Sequence, residues 1–315
     1  MAWQVSTRLG ILALSLFAAS LLIFLVVQVL PGDPAQVVLG VNATPDALAQ
    51  LRHQMGLDQP GWERYLLWVA GLLHGDLGTS QVSGAPVGEL VLQKLAVSAP
   101  LALLATAIAL LVSVPLGVVA GVRYRRPSGT IISALSLGGM AIPAFWGALL
   151  LITLFAVELH VLPSGGFVAW SDDPAAALRS LLLPAVSLGL VQGAILTRYI
   201  RSAIVDVMRE DYIRTARAKG LTQWQALRRH GFRNAAIPVV TVLGLQLTSL
   251  LVGAVVIENV FFLPGLGRML LQAIGNRDLV VIQATVMLLT GGVLVVNFAV
   301  DVSYRLLDPR IRAAR

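Results

Sequence analysis

The chain has 315 residues, 57% of them hydrophobic and 12% charged, with a formal net charge of +7 and a mean hydropathy of +0.82. A soluble domain carries roughly 25% charged residues, so this chain lacks the charge to cover a water-facing surface, and a nucleic-acid reader this apolar would not stay in solution. It reads as an integral membrane protein, and the absence of Cys excludes disulfides, thiolate nucleophiles and Cys-ligated metals.

A helix crosses the hydrocarbon core with about 20 apolar residues. Six stretches qualify: Leu9–Leu30, Ala96–Val122, Thr130–Val157, Leu181–Thr197, Ala235–Ile257 and Leu279–Val300, none of which contains Asp, Glu, Lys or Arg. The runs are continuous rather than alternating, which excludes barrel strands and predicts an all-α protein with six transmembrane helices. The first run is too long for a signal peptide, whose apolar region spans about 7–15 residues, so it reads as a retained span. Three regions follow: 1–30 with the N-terminus and first span, 31–95 with short extracytoplasmic helices, and 96–315 with five spans.

Orientation follows from the basic residues. With a cytoplasmic N-terminus, 17 of the 23 Lys and Arg fall inside and six outside; the opposite topology reverses the positive-inside bias. Both termini are therefore expected in the cytoplasm.

Within 31–95, Thr44 is placed to cap a helix with Pro45 first and Gly56 closing it. Leu48, Leu51 and Met55 then share one face. A second helix, Trp62–Leu73, puts Tyr65, Leu66, Val69 and Leu72 at helical spacing before the Gly75-Asp-Leu-Gly78 turn. At 12 residues it is too short to span and reads as a structural piece at the interface or on the bundle.

The inside loop 198–234 carries nine basic residues against Asp206, Glu210 and Asp211. It extends span four and continues as helix through Asp211–Lys219 to a terminator at Gly220. Thr222-Gln-Trp-Gln225 has the form of a capping box, predicting a second short helix, Gln223–His230, that ends at Gly231. Anionic lipid head groups could account for the charge. The large apolar residues Leu221, Trp224 and Leu227, rimmed by that charge, favour a protein partner.

The spans hold no ionisable residue, which argues against an ion-coupled carrier acting alone. Their polar residues include Gln192, Gln246, Ser249 and Asn297, candidates for a substrate pathway that equally serve as bonds between helices. Pro100, Pro115, Pro143, Pro184 and the Gly117-Val-Val-Ala-Gly121 run allow kinks and close packing. No G-x-x-x-x-G-K-[ST] loop occurs, and Gly265-Leu-Gly267-Arg268 reads as a turn into a short helix, Met269–Ile274. No catalytic constellation and no cofactor or metal site is legible. A non-transporting scaffold is the third reading.

Taken in order, Leu30-Pro-Gly-Asp-Pro34, Leu57-Asp-Gln-Pro60, Gly75-Asp-Leu-Gly78, Asp211-Tyr-Ile-Arg-Thr-Ala-Arg-Ala-Lys-Gly-Leu221, Arg229-His-Gly-Phe-Arg-Asn234, Pro264-Gly-Leu-Gly-Arg268, Asn276-Arg-Asp278 and Asp308-Pro-Arg-Ile-Arg312 resemble the permease subunits of bacterial ATP-binding-cassette importers for dipeptides, oligopeptides and nickel. The resemblance covers nearly the whole chain. It implies the type I importer permease fold in a bacterial inner membrane and makes 198–234 the loop that docks on an ATPase subunit. The residues carried onto that role are Arg214, Thr215, Ala216, Lys219, Gly220 and Leu221, with Trp224 as the apolar anchor.

The broad importer pattern there is E-A-A-x-x-x-G followed by I-x-L-P. Ala216 and Gly220 keep its first half, Arg214 and Thr215 replace its Glu and first Ala, and His230, Phe232 and Arg233 occupy the I, L and P positions. Contacts of the family's Glu are therefore not carried over. The resemblance further implies a heterodimer with a homologous second permease subunit, two ATP-binding-cassette ATPase subunits that hold ATP and Mg, an extracytoplasmic substrate-binding protein and a lipid surround, with no nucleic acid. The expected cargo is a short peptide, with nickel–chelator complexes or glutathione behind it.

Overall fold

The computed structural model describes residues 2–29, 34–40 and 43–307; residues 30–33 of the first family motif, and Asp308–Arg312, lie outside these. In chain order the helices are α1 (Ala2–Val29), α2 (Pro34–Leu39), α3 (Pro45–Gln54), α4 (Gly61–Leu73), α5 (Val87–Val122), α6 (Pro127–Ala141), α7 (Ala144–Leu151), α8 (Pro174–Arg209), α9 (Asp211–Ala218), α10 (Gln223–Ala226), α11 (Phe232–Val260), α12 (Leu266–Asn276) and α13 (Leu279–Leu307). Wider π-helical turns, Ile152–Glu158 and Leu227–Gly231, prolong α7 and join α10 to α11. No strand forms among the described residues.

Five helical stretches are long and apolar enough to cross a membrane: Ser6–Val29, Val87–Val122, Pro174–Arg209, Gln223–Val260 and Leu279–Val302. The run expected as the third span is instead broken, with α6 and the α7 segment bent by 98°. Pro143 explains the break. Its ring disfavours helical backbone in the residue before it, and Ile142 is extended at φ −83° and ψ 118°. Taken as one broken span, the pair brings the number to six.

The chain forms two compact units, one from residues up to Ser98 with Pro264–Val295, the other from Ala99–Leu263 and the chain from Val296 onward. In the first, α4 lies on α1: the Tyr65 and Ser20 hydroxyls are 2.9 Å apart, and Phe24 stacks on Trp68 with centroids 6.1 Å apart. Ile23, Val27, Val87, Val91, Leu266, Met269 and Val281 share its core. Thr44 caps α3 as expected, accepting from the Ala47 N–H at 3.3 Å, and Gly56 takes the left-handed backbone (φ 64°) just past its end.

Two family motifs 200 residues apart meet in this unit. A Cβ on Gly78 would lie 2.8 Å from Val280 Cγ1. The buried Asp278 carboxylate accepts from the Ser80 hydroxyl and from the N–H groups of Gln81 and Val281, each of the latter at 3.3 Å. The turn helix α12 is longer than the Met269–Ile274 piece read from sequence, because the Leu266 N–H is held by Ser98 Oγ at 2.8 Å, so the helix starts three residues earlier.

In the second unit α8 is the central helix, with Leu181, Leu188, Leu196, Ile200 and Ile204 buried. Small residues bring α5 against it. A Cβ on Gly117 or Gly121 would lie 2.6 Å from the Cβ of Ile200 or Ile204, and one on Gly189 would lie 2.8 Å from the Ala105 carbonyl. Gly193 faces Ala109 at 3.4 Å. The contact pairs advance together along both helices, so α5 and α8 run parallel, packed through small-residue positions as membrane helices commonly are. Two parallel crossings need one return crossing between them, and the α6–α7 pair is the apolar segment available for it.

The loop 198–234 departs from expectation at both ends. Helix does not run unbroken from α8 to Lys219, because Glu210 is extended (φ −67°, ψ 146°) and turns the chain into α9. Nor does the second short helix stop at Gly231. That residue is right-handed (φ −102°, ψ −30°), and the chain continues through the π turn into α11. A Cβ on Gly231 would meet Val207 Cγ1 at 2.7 Å and Leu227 Cδ1 at 2.9 Å, so glycine serves close packing there rather than termination.

Candidate functional site

The segment from Glu210 to Asn234 is a short helical corner on the end of α8. Its inner face is apolar: Ile213, Ala216, Ala226 and Leu227 are buried against Ile204 and Val207 of α8, with Leu221 partly buried beside them. Two local devices set the angle between α9 and α10. The Leu221 N–H donates to the Ala216 carbonyl at 3.3 Å and the Gly220 N–H to the Arg217 carbonyl at 2.9 Å, the paired bonds of a Schellman stop. Gly220 sits at φ 93° with nothing near its Cβ direction; conformation, not space, demands glycine there. Two residues on, the Gln225 N–H donates to Thr222 Oγ1 at 3.2 Å while the Thr222 N–H donates to Gln225 Oε1 at 2.9 Å, completing the expected capping box.

Further bonds pin the corner. Asn234 Nδ2 donates to Tyr212 Oη at 2.9 Å, and the Thr215 hydroxyl donates to the Asp211 carbonyl at 2.9 Å. Arg209 lies over the Tyr124 ring at 5.8 Å and Arg125 over the same ring at 5.3 Å. The Arg214–Asp211 pair at 3.2 Å is largely exposed, where solvent screening leaves it little value.

The seven residues singled out for docking therefore divide. Arg214, Thr215, Lys219, Gly220 and Trp224 are exposed, Trp224 by 51% despite its size. Ala216 is buried and Leu221 half-buried; these two hold the corner to α8. Leu227, read from sequence as exposed, is fully buried. The Tyr212–Asn234 bond was missed, although both residues lie in the quoted motifs, since nothing in their local spacing pairs them.

The pathway candidates divide as well. Gln192 and Gln246 line one small void of about 10 Å³ with Thr106 and Leu250, and Gln192 Oε1 is buried there without a partner. Ser249 and Asn297 do not line it and are exposed. In the first unit, Arg64, Trp68, Asp76 and Gln81 line a cavity of about 280 Å³. Trp68 Nε1 and Gln81 Oε1 are unpartnered there, a setting that ordered water satisfies. Burial pushes the Arg64 guanidinium below its ordinary range, yet an arginine so shifted stays a cation at neutral pH. No group of three or more His, Cys, Asp or Glu poised for a metal occurs among the described residues.

Comparison with known proteins yields two family matches. Residues 113–313 match the model described as "Binding-protein-dependent transport system inner membrane component", and residues 3–99 match its N-terminal companion. A putative peptide transport system permease protein of Brucella abortus (strain 2308) is 44% identical over 295 residues, 93% of either chain. The dipeptide transport system permease protein of Escherichia coli (strain K12) is 37% identical over 329 aligned residues, 97% of either chain. A glutathione transport system permease protein of Escherichia coli O6:H1 is 38% identical over 298 residues, 95% of either chain.

Proposed function

The chain belongs to the family of binding-protein-dependent transport system inner membrane components, and from that premise we propose that it forms one half of the translocation pathway of an ATP-driven importer of short peptides. It is a multi-pass inner-membrane permease and not an enzyme. Membership implies a binding protein and ATPases as partners. In the finer reading the assembly holds a homologous second permease subunit, two ATPase subunits carrying ATP and Mg, and an extracytoplasmic binding protein, with both termini of this chain in the cytoplasm.

The observation that carries the proposal is the corner after α8. A Schellman stop and a capping box fix it, while its outer face offers Arg214, Thr215, Lys219 and a half-exposed Trp224. A rigid corner buried on α8 through Ile213 and Leu227 can pass a push from a docked ATPase into a membrane span. The peptide cargo is supported by relatives named for peptide and dipeptide transport. Glutathione, itself a tripeptide, is the second reading, favoured by the relative named for it.

The test is uptake in vesicles reconstituted with the full assembly and its binding protein. Labelled di- and tripeptide should accumulate only with ATP on the ATPase side, and collapsing the proton gradient at constant ATP should leave uptake intact, as expected where the six apolar runs read from the sequence hold no Asp, Glu, Lys or Arg. Uptake driven by the gradient without ATP would sink the reading. Competition between dipeptide and glutathione separates the two cargo readings.

A further inference from the structure

In the second unit, α6, α7 and α8 with part of α5 enclose a groove of about 400 Å³ whose walls, among them Leu116, Ile132, Leu135, Leu150, Leu190 and Val191, are almost wholly apolar. Ser136 and Thr197 line its end, and they also line a second cavity of about 230 Å³ formed with Ser133, Arg198, Arg201 and Ser202. An apolar slot and a basic pocket thus adjoin at Ser136 and Thr197. No carboxylate lines either cavity.

The polar end has the chemistry of an anion site. Ser133, Ser136 and Thr197 already donate their hydroxyl protons to the carbonyls of Gly129, Ile132 and Gly193 at 2.7, 2.9 and 2.7 Å. Donors with capacity to spare include guanidinium N–H groups. Arg201 Nε is buried and has no hydrogen-bond partner. An unpaired cationic N–H at low water access is costly, and a charged oxygen ligand satisfies it in a planar, bidentate manner that arginine favours. Arg198 and Arg201 also stand where the apolar run of α8, ending at Thr197, gives way to charge. Basic residues at the end of an apolar run are where a spanning helix meets lipid head groups.

We propose that groove and pocket together bind one anionic phospholipid, its phosphate on Arg198 and Arg201 and an acyl chain lying in the slot between the bent α6–α7 pair and α8. The lipid fills space that the bend at Pro143 leaves open and ties the two arms of the bend to the central helix. This rests on α8 being a membrane span. It is independent of cargo, of ATPase docking and of which membrane face is cytoplasmic, so it can fail while the transport reading stands, and the converse.

The detergent-purified full assembly is delipidated and then exposed to vesicles of dioleoylphosphatidylglycerol, to vesicles of dioleoylphosphatidylcholine, or to inorganic phosphate alone. Bound lipid is counted by native mass spectrometry and the unfolding midpoint is followed. One phosphatidylglycerol per copy of this chain should be retained by wild type. Retention should fall at least tenfold in the Arg198→Gln/Arg201→Gln double variant and in Leu190→Trp, which fills the slot at a half-exposed position without touching the arginines. Phosphatidylcholine should leave the site empty.

Three results would overturn the proposal. Phosphate alone raising the midpoint as far as phosphatidylglycerol does would make this a free-anion site. Retention of the lipid at the wild-type level by both variants would empty the assignment of its residues. Labelling of the second membrane subunit instead of lipid by a photoactivatable group at position 190 would make the slot a protein interface.

Discussion

At the scale of single residues, Gly220 and Trp224 carry the docking proposal for different reasons. Gly220 holds φ 93° in open space, so a β-branched side chain there meets only the backbone penalty, about 1–2 kcal/mol for a left-handed conformation. Gly220→Val should swing α10 away from its present angle while leaving membrane insertion and pairing with the second permease subunit intact. Trp224 is 51% exposed, and truncating an interface anchor of this kind costs about 2 kcal/mol or more, roughly 30-fold in affinity. Copurification of the ATPase subunits measures both, and full ATPase binding and transport in the two variants would refute the coupling role.

Asp278 is the opposite case, a buried carboxylate with an architectural task. Removing it strands the Ser80 hydroxyl and the N–H groups of Gln81, Val82 and Val281, at roughly 1–3 kcal/mol for a buried group left unsatisfied. Asp278→Ala should lower the unfolding midpoint of the purified protein clearly more than Asp278→Asn, which keeps one acceptor oxygen. Equal midpoints for Asp278→Ala and wild type would refute the architectural role of Asp278.

Among the helices, α5 and α8 meet in the second unit through small residues. With lipid on the outside, apolar side chains gain little by leaving one apolar surface for another, so close approach at small residues supplies much of the association. Gly121 stands where a Cβ would lie 2.6 Å from Ile204 Cβ. Gly121→Leu therefore forces the helices apart, and overpacking of this sort costs about 1–3 kcal/mol. Monodisperse protein on size exclusion should decline in that variant and recover in part when Ile204→Ala is added. Absence of any recovery would mean that the damage lies elsewhere on α5.

For the molecule as a whole, the expected orientation rests on the 17-to-6 division of basic residues under the positive-inside rule. Accessible-site labelling in sealed cells should reach positions Asp76, Asp172 and Asn276 from outside, and Arg125 and Trp224 only after the membrane is opened. The parallel course of α5 and α8 adds a constraint that composition lacks, since it requires their corresponding ends to face the same side. Labelling of position 224 from outside would invert the topology and detach the corner from any cytoplasmic ATPase.

The sequence by itself determined the features whose causes are local. The places of the spans follow from apolar runs, and the stop at Gly220, the box at Thr222 and Gln225 and the cap at Thr44 follow from residues within five positions of one another. Family membership was legible for the same reason, as short motifs kept in order. Tertiary structure alone decided which apolar face is inside. Leu227 and Trp224 are both large and apolar and three residues apart, yet one is fully buried and the other half exposed, because only the position of α8 says which side of α10 has a neighbour. It likewise decided that Asp278 meets Ser80 across 198 residues, and that Gln192 and Gln246 share a void. The size of the bend at Pro143 was also settled there: a proline announces a break, while the angle is fixed by what the two arms pack against.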